Sequence, residues 1–389
     1  MRTILFAVNK LQIGGAEQQL LELVRGLDKT RYRPIVAPLY PGGSLDAEFR
    51  AVPGAEVVDL NRTGKYDPST LVRVASLLRA RRIDIVQPFL TPATFFGLLP
   101  ALVVGTPVRI VTERCGVRRY RGLGYTSYRV AEDFLTRFAD AVVANSVAGQ
   151  QLLLGRGIPA SKIRVFYNGV SPERLQVDAA NAAAQRERLH VPEGGKVVGI
   201  LASLTPAKDH ATFLRAAAAL SARRADVRFA IIGDGPLRSD LEALAATLGI
   251  RERVVFFGNQ RRVADLLVGC DVLVSASRDN EGCSNSILEA MLLGVPVVAT
   301  DVGGNGELVE PGTTGYLVPV GDPARLAAAL DHVLTRPAEA GAVAAQARQQ
   351  ARARFSLERM VSDYELLYEH LLQAKVRTRT RRRPSPAQP

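Results

Sequence analysis

Two glutamates, Glu281 and Glu289, are separated by seven intervening residues in the segment Asp279-Asn280-Glu281-Gly282-Cys283-Ser284-Asn285-Ser286-Ile287-Leu288-Glu289-Ala290-Met291. Gly282 to Asn285 read as a polar loop, and Asn285 or Ser286 can cap a helix starting near Ile287. Glu289 then falls in the first turn of that helix. A carboxylate there can accept the vicinal hydroxyls of a ribose, as carboxylates do in nucleotide sites. Glu281, ahead of the cap, can reach hydroxyls of a second sugar. Two unrelated acids flanking a capped helix would look the same.

Three glycine-bearing or cationic loops accompany the pair. Gly14-Gly15-Ala16-Glu17 follows an apolar run and precedes a helical pattern, so its backbone N–H groups can approach a phosphate. It lacks the third spaced glycine of a dinucleotide fingerprint and the Gly-Lys-Ser/Thr of a P-loop. Ala202-Ser203-Leu204-Thr205-Pro206-Ala207-Lys208-Asp209-His210 offers Lys208 as a diphosphate cation and Ser203 as a donor, with His210 helping to open a helix. Gly233-Asp234-Gly235-Pro236 reads as a sharp strand-to-helix turn with proline early in the helix, beside which a nucleotide can lie.

The elements that must position these loops alternate along the chain. Short apolar runs at residues 3–8, 34–39, 55–60, 83–86, 108–112, 141–144 and 163–166 are separated by helical or loop segments. The alternation weakens at Asn168-Gly169-Val170 and resumes at 197–201, 227–232, 254–257, 272–274 and 297–299. Repeated strand–helix units predict α/β architecture: two doubly wound parallel sheets facing across a cleft, with ligands at the carboxyl ends of the strands. The expected boundaries are 1–170 for the first domain, 171–195 for a linker and 196–355 for the second domain. A helix at 356–374 and a basic, disordered tail at 375–389 follow.

Bulk properties narrow the classes. The chain has 389 residues, 47% of them hydrophobic, enough for two cores. The net charge is +12, and six of the basic residues lie between Lys375 and Pro389, so the folded body is only mildly basic. With no stacking-aromatic motif, nucleic-acid binding ranks last. Cys115, Cys270 and Cys283 are too few and scattered for a disulfide framework or a zinc site, which suits a reducing cytoplasm. Ile85 to Val108 is an uncharged stretch of 24 residues, long enough to span a bilayer, but four prolines and Gly105 break it into strand, helix and turn.

Taken together, Glu281–Val309, reading EGCSNSILEAMLLGVPVVATDVGGNGELV, resembles the signature of glycosyltransferase family 4. The other marks occur in order: GGAE at Gly14, the Lys208 loop, IIGDGP at Ile231 and FFGN at Phe256–Asn259, covering about residues 1–370. The resemblance implies the GT-B fold of two Rossmann-like domains, a nucleotide-sugar donor carrying UDP or GDP, retention of the anomeric configuration, and no cofactor or metal. By the same resemblance Glu281 contacts the transferred sugar and Glu289 the ribose. Lys208 and the backbone at Gly14 and Gly15 hold the diphosphate. Gly233, Asp234, Gly235 and Asn259 line the donor, and the backbone of Gly282, Cys283, Ser284 and Asn285 approaches it.

The chain departs from the pattern at two points. Ser203 stands where many relatives have arginine, and Thr112-Glu113-Arg114-Cys115 lacks the histidine that many carry in that loop. None of His190, His210, His332 and His370 is expected near the cleft. Glu113 and Arg114 are therefore expected to line the acceptor side. Arg118, Arg119 and Arg121 with Tyr120 form a basic loop suited to an anionic acceptor, a lipid phosphate or a membrane surface, although a solvated face explains it equally well. The expected acceptor is a saccharide or lipid-linked hydroxyl in cell-surface polysaccharide or glycolipid synthesis, at the cytoplasmic face. Three alternatives are a nucleotide-sugar-binding protein that has lost catalysis, an epimerase, and a phosphorylase on the same fold.

Overall fold

The structure is a computed structural model that describes residues 1–64, 67–114, 123–279 and 281–381. Cys115, the basic loop Arg118–Arg121, Asn280, Arg382 and Arg383 lie outside the described residues. The chain divides into two compact units, one of residues 1–169 with 357–389, the other of residues 170–356.

The described residues of the first unit form seven parallel strands: β1 Arg2–Val8, β2 Tyr32–Pro38, β3 Glu56–Val57, β4 Ile85–Val86, β5 Val108–Glu113, β6 Ala141–Ala144 and β7 Ile163–Val165. Their spatial order is β3-β2-β1-β4-β5-β6-β7. The β1, β4 and β6 side chains are almost wholly buried, as a sheet covered by helices on both faces requires. The uncharged stretch resolves into β4, helix Ala93–Val104 and the start of β5. Among the described residues no helix is long and apolar enough to cross a membrane.

The second unit holds six: β8 Lys196–Leu201, β9 Val227–Ile232, β10 Val254–Gly258, β11 Val272–Ser275, β12 Val297–Thr300 and β13 Tyr316–Val318. The order β10-β9-β8-β11-β12-β13 is the doubly wound arrangement, with the topological switch between β8 and β11. In the first unit the corresponding switch lies between β1 and β4.

Two boundaries differ from the sequence expectation. The stretch 171–195, expected as a linker, belongs to the second unit. Its helix Ala179–Glu187 is fastened there by Asp265, which accepts from the Asp178 backbone at 2.7 Å and from Asn181 Nδ2 at 2.6 Å. The last helix, Leu357–Arg381, continues through the first seven residues of the expected disordered tail. Its apolar residues Met360, Tyr364, Leu367 and Tyr368 recur at helical spacing and are buried in the core of the first unit. Close approach to helix Gly15–Gly26 depends on Gly26, where a Cβ would meet Val361 Cγ2 at 2.4 Å. Beyond that, Lys375 pairs with Asp140 at 2.5 Å, giving the basic extension an anchor.

Candidate functional site

In the second unit, the loops that leave β8 and β11 meet at the switch point. The β8 loop turns through Pro206–Lys208, and Asp209, at φ 42°, caps helix His210–Ser221 by accepting from Thr212. The β11 loop is tied to it by the Arg278 N–H, which donates to Ala207 O at 2.9 Å. The tie brings Lys208 Nζ to 2.5 Å from Glu281 Oε2. Ser277 Oγ donates to the same oxygen at 2.6 Å. Ser277 is itself fixed, because its carbonyl accepts from Thr300 Oγ1 at 2.5 Å.

This arrangement sets the state of Glu281. Burial alone would push its carboxyl up, but the Lys208 charge and the hydrogen bonds from Lys208 and Ser277 outweigh that and hold it below its ordinary value. Glu281 is therefore an ionised acceptor at neutral pH. The turn Gly303-Gly304 packs onto its backbone: Gly304 N–H donates to Glu281 O at 2.8 Å, and a Cβ on Gly303 would meet that oxygen at 2.1 Å.

Helix Asn285–Leu293 begins two residues earlier than the expected Ile287, with Ser284 at the capping position. Glu289 therefore lies two residues deeper than expected, in the second turn rather than the first. It is buried, and its Oε1 accepts from Arg174 Nε. Arg174 comes from the single turn Pro172–Leu175, within the stretch expected to be a linker. Gly282, Cys283 and Ser284 are buried, with the Ser284 and Ser286 hydroxyls 3.2 Å apart.

The remaining donor-side candidates divide by role. Ser203 and Asn259 are exposed on the loops after β8 and β10. Gly233 and Gly235 brace the β8 loop by close approach: a Cβ would meet Ala202 O at 2.1 Å at Gly233, and Leu204 O at 2.6 Å at Gly235. Asp234 accepts from the Gly235 N–H at 2.8 Å and faces Arg238 at 3.5 Å. Pro236 precedes its helix, which starts at Arg238, rather than opening it. Against expectation, His210 adjoins the switch point. It is buried, neither ring nitrogen is hydrogen-bonded among the described residues, and burial with the nearby Lys208 charge lowers its pKa to about 4, so it stays neutral.

In the first unit, Gly14 caps helix Gly15–Gly26 in extended conformation, and the Glu17 carboxylate covers it, 2.4 Å from where a Cβ would stand. Gly15 is exposed at that helix start. Glu113, at the end of β5, pairs with Arg156 at 2.7 Å, and Arg156 also engages Asp133. The expectation that Arg114 lines an acceptor site is corrected. Arg114 is buried, donating to Asn168 Oδ1 at 2.7 Å and to the Tyr364 hydroxyl at 3.1 Å, over the Phe89 ring. The same interior holds Gln87, which accepts from Tyr368 OH at 2.6 Å and donates to Thr112 Oγ1 at 3.1 Å. Arg114 thus ties the last helix to the sheet.

Sequence reasoning missed Ser277, Arg174 and Thr300. Only Ser277 carried a signal, a hydroxyl four residues before Glu281 on the strand-exit loop. Among the described residues no group of three His, Cys, Asp or Glu side chains is placed to hold a metal ion.

With both sheets and this site in view, the fold matches that of the Anabaena protein HepE in complex with UDP-glucose: TM-score 0.82, 26% identity, covering 96% of this chain and all of that one. Two Rossmann-like parallel-sheet units of this kind define a glycosyltransferase of the GT-B type. Residues 13–174 match the model described as Glycosyltransferase Family 4, and residues 195–336 that described as Glycosyl transferases group 1; the chain belongs to glycosyltransferase family 4. The GDP-mannose-dependent alpha-mannosyltransferase of Mycobacterium tuberculosis is 30% identical over 326 residues, 80% of this chain and 82% of that protein. The GDP-mannose-dependent alpha-(1-6)-phosphatidylinositol monomannoside mannosyltransferase of Mycolicibacterium smegmatis is 28% identical over 355 residues, 87% and 90% of the two chains.

Proposed function

We propose that the chain transfers a hexosyl or related residue from a UDP- or GDP-sugar to a hydroxyl acceptor, with retention and without a metal ion. The observation that carries this reading is the contact of Glu281 with both Lys208 and Ser277 at the β8/β11 switch point. Relatives named for GDP-mannose and a structural neighbour holding UDP-glucose support a nucleotide-sugar donor.

Each group has a task. Lys208 neutralises charge building on the leaving diphosphate, a role that elsewhere falls to a divalent cation. Glu281, kept ionised, accepts hydrogen bonds from hydroxyls of the donor sugar and fixes its orientation. Glu289 accepts the ribose hydroxyls. In the reaction the bond from the anomeric carbon to the β-phosphate oxygen breaks, and the acceptor oxygen bonds to the same face of that carbon. The acceptor proton passes to the leaving phosphate oxygen, so no separate carboxylate base is required. A saccharide or lipid-linked acceptor, in cell-surface polysaccharide or glycolipid synthesis at the cytoplasmic face, fits this chemistry.

The test is product stereochemistry. Proton NMR of the glycoside formed in the presence of EDTA is expected to show the donor's anomeric configuration and an undiminished rate. An inverted product, or loss of turnover restored by a divalent cation, contradicts the reading.

A further inference from the structure

Glu289 is buried in the second unit, and its side chain is only 2% exposed. An ionised carboxylate in that position needs a counter-ion, because its desolvation is otherwise uncompensated. The counter-ion is Arg174, whose own side chain is 21% exposed. The contact is one-sided: Arg174 Nε reaches Oε1, and Oε2 has no hydrogen-bond partner among the described residues. Arg174 is held by its own short element. Ser171 caps the Pro172–Leu175 turn, accepting the Arg174 N–H at 3.4 Å, and that turn packs on helix Asn285–Leu293.

We infer that Arg174 is the positioning residue of the nucleoside end of the site: it pairs with Glu289, fixes its rotamer through Oε1, and leaves Oε2 to accept from a ribose hydroxyl. This rests on the proposed role of Glu289. A ribose hydroxyl brings a donor but no positive charge, so it cannot take the place of the guanidinium. Arg174 therefore stays paired when the ligand is bound. A guanidinium suits the task because its planar fork limits the orientations of the carboxylate it holds, whereas an ammonium is a point charge.

The probes are UDP and GDP, each compared with its 2′,3′-dideoxy counterpart, with dissociation constants measured by calorimetry on the full chain. The preferred nucleotide is expected to bind at least about tenfold more tightly than its dideoxy form, as a site built to bind hydroxyls rejects analogues lacking them. Glu289→Gln should collapse that ratio. Should Glu289→Gln leave it intact, the proposed ribose role fails and this inference falls with it. Arg174→Ala should also collapse the ratio and raise KM for the nucleotide sugar about tenfold, while kcat changes less than about threefold. Arg174→Lys keeps the charge, covers the case in which Arg174→Ala does not fold, and should give an intermediate ratio. Collapse in Glu289→Gln with a wild-type ratio in both folded Arg174 variants, or in Arg174→Lys alone if the alanine variant does not fold, overturns the role of Arg174 and leaves that of Glu289 standing.

Discussion

Lys208 and Glu281 are 73 residues apart in the chain and 2.5 Å apart in the fold, joined where the loops after β8 and β11 meet. The pair places a cation suited to a diphosphate in direct contact with a carboxylate suited to a sugar hydroxyl.

Lys208→Met removes the diphosphate cation and strands Glu281. Loss of one preorganised charge-stabilising group lowers kcat by roughly 100- to 1,000-fold. Stability should fall by about 2 kcal/mol at pH 7, less than for a fully buried pair because Lys208 keeps some solvent. The sign with pH follows from the lowered pKa of Glu281. A depressed carboxyl contributes stability above its unfolded pKa and loses it as pH falls through the folded value. Denaturant melts should therefore show the gap between wild type and Lys208→Met narrowing as the pH drops below about 4.5.

Ser277→Ala removes the second hydrogen bond to Glu281 Oε2. The expected result is a loss of roughly 1 kcal/mol, about fivefold to tenfold in kcat/KM, with the acid limb of the pH–rate profile moved upward. Steady-state kinetics across pH 4 to 8 check it, and an unmoved acid limb would show that Ser277 does not set the state of Glu281.

Gly233 adopts φ 135° with Ala202 O in the space a Cβ would take. Gly233→Ala should destabilise the second unit by about 1–3 kcal/mol and raise the donor KM, because the displaced loop carries Ser203 and Lys208. Calorimetric melting and donor titration together distinguish loop displacement from global loss.

Arg114→Met leaves Asn168 and Tyr364 without their shared donor in the interior of the first unit. A loss of about 2–4 kcal/mol in stability is expected, with kcat per folded molecule little changed. A large fall in kcat without a fall in stability would restore Arg114 to the acceptor side.

The doubly wound architecture was legible because Val- and Ile-rich runs alternate with helical periods, and most strands lie within two residues of those runs. The exception was β13: Tyr316–Val318 is three residues long and follows the turn-rich Gly312-Thr313-Thr314-Gly315, so it carries no period to detect. The tail was read as disordered because Lys375–Arg381 lacks acids and has few apolar residues, yet it continues a helix already nucleated and packed by Tyr364 and Tyr368. Glu281, Glu289 and Lys208 were legible from their local motifs. Arg174 and the burial of Arg114 were not, because each depends on a partner more than fifty residues distant.

The most direct test of the account is thermal stabilisation of wild type and Glu289→Ala by UDP, GDP and their sugar derivatives. One nucleotide family should raise the wild-type melting temperature and fail to raise that of the variant. No shift with any of these ligands, or an equal shift in both proteins, would contradict a donor site built around Glu289.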